Sequence, residues 1–183
     1  FMAATKAMGG PGWFNLGDGD LALHVERTRR LRAGEPLSAI TADVAAKLGI
    51  TARLLPMSDD PVRTVVETDQ GTLEFQQYFV REQCRPVVRR IRFEGADKAR
   101  PLPAVAEALR QPGLGGIIVC PSNPYLSVDP ILAIPGLRDL LRGAGVPIVA
   151  VSPIIGGQAV KGPTTKIMGE LGLPCDAVAI ARH

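Results

Sequence analysis

Gly116-Ile117-Ile118-Val119-Cys120-Pro121-Ser122-Asn123-Pro124 is an unbroken apolar run that stops at a polar turn stiffened by two prolines. The pattern returns in Pro147-Ile148-Val149-Ala150-Val151, which runs into Ser152-Pro153-Ile154-Ile155-Gly156-Gly157. Runs that are apolar at every position suit strands buried on both faces. Around them, residues 104–110, 135–142 and 163–171 read as helices, and the apolar run 177–181 reads as a further strand. Strands alternating with helices place this half in the α/β class: a Rossmann-like, largely parallel sheet with helices on both faces.

Upstream the pattern changes. Leu21, Val25, Thr28 and Leu31 recur at helical spacing against Arg27, Arg30 and Arg32, which predicts a helix over 20–31 closed by Gly34. Ser38 is placed to cap a second helix over 38–48, with Ile40, Val44 and Leu48 on one face and Gly49 as its stop, so the two form a helical hairpin. Residues 53–56 read as a short strand. Residues 64–68 and 72–75 flank Asp69-Gln70-Gly71 as a β-hairpin, and 88–94 alternates as a half-buried strand. The expected organisation is therefore residues 1–102 as a helical hairpin with a small mixed α+β insertion subdomain, and residues 103–183 as the Rossmann-like nucleotide-binding half.

Composition narrows the function. With 46% hydrophobic residues the 183-residue chain can bury a substantial core, which excludes disorder. A net charge of +3 admits an acidic or phosphorylated small molecule but falls short of a nucleic-acid footprint, and 4% aromatics leave little for stacking bases. No apolar run reaches the roughly 18–20 residues that span a bilayer, and no signal-peptide pattern is present. The expectation is a cytoplasmic protein that engages neither nucleic acid nor membrane, with apolar helices that leave room for a homodimer. Cys84, Cys120 and Cys175 are odd in number and lack metal-ligand spacing, which argues against a disulfide framework or a zinc site.

In an open parallel sheet, ligands bind beyond the carboxyl ends of the strands, where helix N-termini present unpaired amides. That rule selects the two proline-stiffened turns. Ser122, Asn123 and Ser152 bring short hydrogen-bonding groups, Pro124 and Pro153 stiffen the turns, Gly156 and Gly157 admit close backbone approach, and Lys161 and Lys166 add charge. Each loop alone reads more readily as a helix cap or turn; the pair together points to a ligand site. Neither loop has P-loop or dinucleotide-fingerprint spacing. In Met57-Ser58-Asp59-Asp60-Pro61 the two carboxylates suit either a turn before proline or a metal, sugar hydroxyl or cationic group. Asp18 or Asp20 suits an N-cap of the first helix, and beside Trp13 the same segment suits the border of a ring-binding pocket. His24 and His183 have no partner at nucleophile–base or zinc spacing.

The segments from Trp13 to Ala22 and from Leu55 to Val62, with Cys120-Pro121-Ser122-Asn123-Pro124, Val151 to Gly157, Phe93-Glu94-Gly95 and Lys161-Gly162-Pro163, together resemble the 2-phospho-L-lactate transferases of deazaflavin coenzyme F-420 biosynthesis. The resemblance runs in order through essentially the whole chain. It implies transfer of a phospholactate- or phosphoenolpyruvate-type group from a guanylylated donor to the deazaflavin precursor Fo, with GMP leaving and Mg²⁺ as cofactor. It also implies that Ser122, Asn123, Pro124, Ser152, Pro153, Gly156, Gly157 and Lys161 hold the guanine nucleotide. Trp13, Asn15, Gly17, Asp18, Met57 and Ser58 would border Fo, with Asp59 and Asp60 as the catalytic carboxylates. The chain departs from the family where a basic residue is replaced by Asn15 and an arginine by Gly19. The family's opening strand, Gly-rich loop and acidic segment do not precede Phe1, so the chain resembles an internal portion of the enzyme and is expected to be inactive alone. The metal ligands are left unassigned. The alternative is a nonenzymatic nucleotide-sugar-binding regulator of the same superfamily; an RNA-binding module rests only on the arginine clusters.

Overall fold

Helices α1 (Met2–Ala7), α2 (Asp18–Arg32) and α3 (Leu37–Lys47) form the N-terminal part of the chain. The computed structural model describes residues 2–160 and 162–183, and the chain divides into two compact units, the first ending at Asp59 and the second spanning Asp60–His183. The α2 helix starts after an extended Gly17 without a side-chain cap; Asp18 and Asp20 instead sit in its first turn, where carboxylates favour the positive end of the helix dipole. It ends at Gly34, whose φ of 85° suits glycine, as the Glu35 amide donates back to the Arg30 carbonyl. Arg30 ties the hairpin together, donating to Glu35 and Asp43 at 2.7 and 2.5 Å, and Lys47 joins Asp43 at 2.9 Å. Ile40 is the best-buried apolar side chain of α3.

The second unit opens with an antiparallel sheet of order β2-β1-β3, where β1 is Arg63–Thr68, β2 Gly71–Glu74 and β3 Val88–Glu94. Val66 faces Leu73 on one side and Ile91 on the other. Arg92 reaches Glu67 at 2.5 Å on the neighbouring strand. A π-helical turn, Gln77–Arg81, connects β2 to β3 and carries Tyr78 into the core. There Val66, Tyr78 and Val88 cluster with Tyr125, Leu126, Ile154, Ile167 and Met168 from the C-terminal part. The insertion sheet shares this cluster with the C-terminal part, and both lie in the unit Asp60–His183. Among the described residues the Tyr78 hydroxyl has no hydrogen-bond partner, and burial, then the adjacent Cys84 thiol, hold its phenol well above the ordinary value.

Beyond residue 102 come α4 (Pro103–Leu109), β4 (Ile117–Val119), a π-helical turn at Pro124–Val128, α5 (Asp129–Leu132), α6 (Leu137–Arg142), β5 (Ile148–Ala150), the two-residue strands β6 (Ile154–Ile155) and β7 (Gln158–Ala159), α7 (Thr164–Glu170) and α8 (Ala177–Arg182). As expected, β4 and β5 pair in parallel, with Ile118 opposite Val149. Among the described residues the parallel pairing extends no further, and Ile118 and Val149 are open, at 70% and 56% exposure. Residues 177–181, expected as a strand, are helical. The Asp176 carboxylate caps α8 by accepting from the Ala179 amide at 2.7 Å, and the alanine-rich run then follows its helix propensity. Residues 53–56 form no strand either; Pro56 removes a donor, and no neighbouring strand pairs with them. The result is a mixed α/β chain with three small sheets among the described residues.

Candidate functional site

Parallel pairing puts the carboxyl ends of β4 and β5 at one edge, and the Val151 amide extends the ladder by donating to the Val119 carbonyl at 3.0 Å. Both proline-stiffened turns therefore leave from the same end of the same strand pair, as the sequence pattern requires. Asn123 caps the turn that follows β4: its Oδ1 accepts from the Tyr125 and Leu126 amides, both at 3.0 Å. The residue is 7% exposed, and its Nδ2 has no hydrogen-bond partner among the described residues. A buried, unpaired amide donor costs about 1–3 kcal/mol, which an acceptor on a ligand would recover. Pro124 is buried behind it, and Ser122 is half-buried without a hydrogen-bond partner among the described residues. Cys120, just before this turn, is exposed, whereas Cys84 and Cys175 are half-buried; burial holds the Cys84 thiol above its ordinary value.

The second turn is more self-contained. Ser152 Oγ accepts from the Ile154 amide at 3.1 Å and lies 3.3 Å from the Ile154 carbonyl, with Pro153 buried beside it. Gly156 and Gly157, at φ 56° and 77°, form the two-residue turn between β6 and β7, and a Cβ on either would meet open space. Their first reason is thus the hairpin, whose two central residues both need positive φ. Lys161 lies outside the described residues. Lys166 is engaged elsewhere, donating to the Pro86 carbonyl at 2.9 Å and pairing with Glu170, whose other oxygen accepts from the Val88 amide at 3.0 Å.

The residues expected on the acceptor side belong to the first unit, except Asp60. Trp13 packs edge-on against Phe14 at 5.5 Å; Asn15 is exposed, Gly17 precedes α2 and Asp18 is its first residue. Met57 is half-buried and Ser58 buried. Asp59 fastens the start of α3, where Oδ1 accepts from the Ser38 amide at 2.7 Å and Oδ2 from the Ser38 hydroxyl at 2.8 Å. Ser38, expected as the cap, is instead inside the helix, and Asp59 does the capping from 21 residues away. Asp60 accepts from the Arg100 amide at 2.9 Å, with the Arg100 guanidinium 3.8 Å away. Among the described residues no group of three His, Cys, Asp or Glu side chains is assembled to hold a metal. Asp59 and Asp60 are each engaged by a group of the fold, Ser38 and Arg100 respectively.

Sequence reasoning missed the His183–Asp129 pair, in which Nε2 lies 2.9 and 2.8 Å from the two carboxylate oxygens while the imidazole packs edge-on against Tyr125 at 4.8 Å. No signal links positions 54 apart in an unaligned sequence.

Against known proteins, the profile of the family described as 2-phospho-L-lactate transferase CofD matches residues 6–183. The chain is 45% identical over 179 residues to a phosphoenolpyruvate transferase of Streptomyces griseus, covering 95% of this chain and 55% of that protein. It is 40% identical to the phosphoenolpyruvate transferase of Mycobacterium avium, covering 94% of this chain and 52% of that one. It thus spans about half the length of these relatives. A crystal structure of a UPF0052 family member from Bacillus halodurans matches with a TM-score of 0.56 at 20% identity, over 77% of this chain and 43% of that one, a likeness of fold. No described helix is long and apolar enough to cross a membrane.

Proposed function

The chain belongs to the CofD family of 2-phospho-L-lactate transferases, and from that premise we propose that the protein transfers a phosphoenolpyruvate- or phospholactate-type group from a guanylylated donor to Fo, releasing GMP. The likeness to phosphoenolpyruvate transferases carries this reading and favours the enolpyruvyl donor. In the transfer the terminal ribityl oxygen of Fo bonds to the phosphorus of the moving group as the bond from that phosphorus to the GMP oxygen breaks, and the hydroxyl proton passes to a base.

On the donor side, the unpaired Asn123 Nδ2 at the shared end of β4 and β5 supports nucleotide binding: it offers a desolvated donor to a phosphate, ribose or base oxygen. Ser122 and Ser152, with the stiff Pro124 and Pro153 and the Gly156-Gly157 amides, complete the proposed cradle, to which Lys161 would add charge. On the acceptor side, Trp13, Asn15, Gly17, Asp18, Met57 and Ser58 are the proposed Fo contacts. Asp59 and Asp60 are the proposed bases, although their contacts with Ser38 and Arg100 give each a structural duty as well. Magnesium enters the proposal with the donor's diphosphate, and no step above runs through it.

The test is to incubate the protein at the full length of its relatives with Fo, magnesium and each of the enolpyruvyl, lactyl and glyceryl guanylyl donors, reading product mass and GMP. Product from the enolpyruvyl donor is expected; binding of UDP-sugars with no Fo product would replace this reading by the regulator alternative. Asp59→Asn separates the two duties of that residue. A purely structural carboxylate gives a lower melting temperature with unchanged kcat, whereas a base gives a kcat loss of about 10²–10⁴-fold.

A further inference from the structure

The π-helical turn after β4 is closed at both ends. At its start Asn123 accepts through Oδ1 from the Tyr125 and Leu126 amides, both at 3.0 Å, and through its own carbonyl from the Ser127 amide at 2.9 Å. At its finish the Asp129 amide donates back to the Pro124 carbonyl. The orientation of Asn123, and with it the direction of its unpaired Nδ2, is therefore tied to residues 124–129.

That turn is held in addition from α8. His183, at the end of α8, donates through Nε2 to both Asp129 oxygens, at 2.9 and 2.8 Å, since an ionised carboxylate only accepts. The same ring meets Tyr125 edge-on at 4.8 Å. Tyr125, Leu173, Val178 and Ala179 also line a cavity of about 350 Å³, so on that side of Tyr125 apolar packing leaves room for the turn to shift. The two side chains are 34% and 18% exposed, which leaves the pair only partly screened.

Building on the nucleotide-binding reading above, we propose that His183 is a positioning residue: as an imidazolium paired with Asp129 it fixes the turn that aims Asn123 Nδ2 at the nucleotide, and as a neutral imidazole it holds that turn more loosely. Histidine is the side chain that changes charge between about pH 5 and 8, so nucleotide affinity follows pH through a residue on another element. An ion pair at such exposure moves an equilibrium by about 1.5–5-fold. The other charged or titratable groups around the imidazole are Tyr125, Asp176 and Arg182, with Cys175 near Tyr125. Burial, then Asp129, hold the Tyr125 phenol above its ordinary value, which keeps it neutral over this range.

Calorimetry of GDP binding at about pH 6 and pH 8, on wild type, His183→Gln and His183→Ala, tests this. The glutamine keeps a donor for Asp129 but carries no charge. Dividing the wild-type affinity ratio by that of His183→Gln removes the titration of the nucleotide's own phosphate; about 1.5–5-fold tighter binding at the lower pH should remain. At the higher pH His183→Gln should bind like wild type and His183→Ala more weakly. Asp129→Asn should lose the same pH dependence, and combined with His183→Ala it should weaken binding no further than either change alone. Without nucleotide, hydrogen exchange at the Tyr125 and Leu126 amides should quicken in His183→Ala. A wild type that binds no GDP at either pH overturns the nucleotide reading and this proposal with it. GDP bound with the same pH ratio by wild type and His183→Gln, or a His183→Ala chain that melts earlier yet binds GDP as wild type does, overturns the role of His183 alone.

Discussion

Two small sheets treat their apolar residues differently, the amphipathic β1, β2 and β3 on one hand and the wholly apolar β4 and β5 on the other. In β2-β1-β3 the apolar side is sealed, Val66 at 0% exposure within the cluster that includes Ile167 and Met168, while in β4-β5 the central residues of both strands face outward. An antiparallel hairpin closes through its own turn, whereas parallel strands need crossovers and covering layers before their side chains are buried. The proposed donor cradle grows from the second kind. The loops with an unpaired donor thus stand on the less consolidated sheet, and the stable one serves as their foundation.

The largest expected effect tests that contrast directly. Ile167→Ala, in the sealed cluster, should lower unfolding stability by about 2–5 kcal/mol, and Val149→Ala, on the open pair, by about 0.5 kcal/mol or less, both by urea titration. Comparable losses would erase the distinction. Next, Gly157→Val should cost about 1–3 kcal/mol from its left-handed backbone alone, since a side chain there meets open space. The same variant should weaken GDP binding in calorimetry if the turn belongs to the cradle, and leave it unchanged if the turn only closes the hairpin. The smallest effect concerns the first unit. Lys47, then Arg30, hold the Asp43 carboxyl below its ordinary value, so its contribution is present above the unfolded-state pKa and fades as pH falls through the folded one. The melting temperatures of wild type and Asp43→Asn should therefore differ at neutral pH and converge in acid.

What was legible followed locality. α2, α3 and β1 to β3 rest on periodicity and turn residues a few positions apart, and each lies within a few residues of its expected range. The parallel pairing of β4 and β5, and with it the common origin of the two turns, also came from pattern alone. The helix α8 was misread because a five-residue apolar run has no period of its own; the deciding signals, Asp176 before it and the alanines within it, were present but outweighed by the expectation of alternation. Asp59 holding Ser38, Asp60 holding the Arg100 amide, and Lys166 reaching Pro86 join residues brought together only by the folded chain. Asn123 was legible as a cap, whereas its unpaired Nδ2 depends on the burial that the folded chain gives it, 7% exposure.

The exposed thiol of Cys120 makes the proposed cradle observable without altering it. Cys84 and Cys175 are half-buried, so a thiol-reactive dye used sparingly is expected to mark the residue two positions before Ser122 ahead of the others. A fluorophore tethered there would sense whatever enters between the two turns, turning ligand screening into an optical titration on a chain that needs no engineered cysteine.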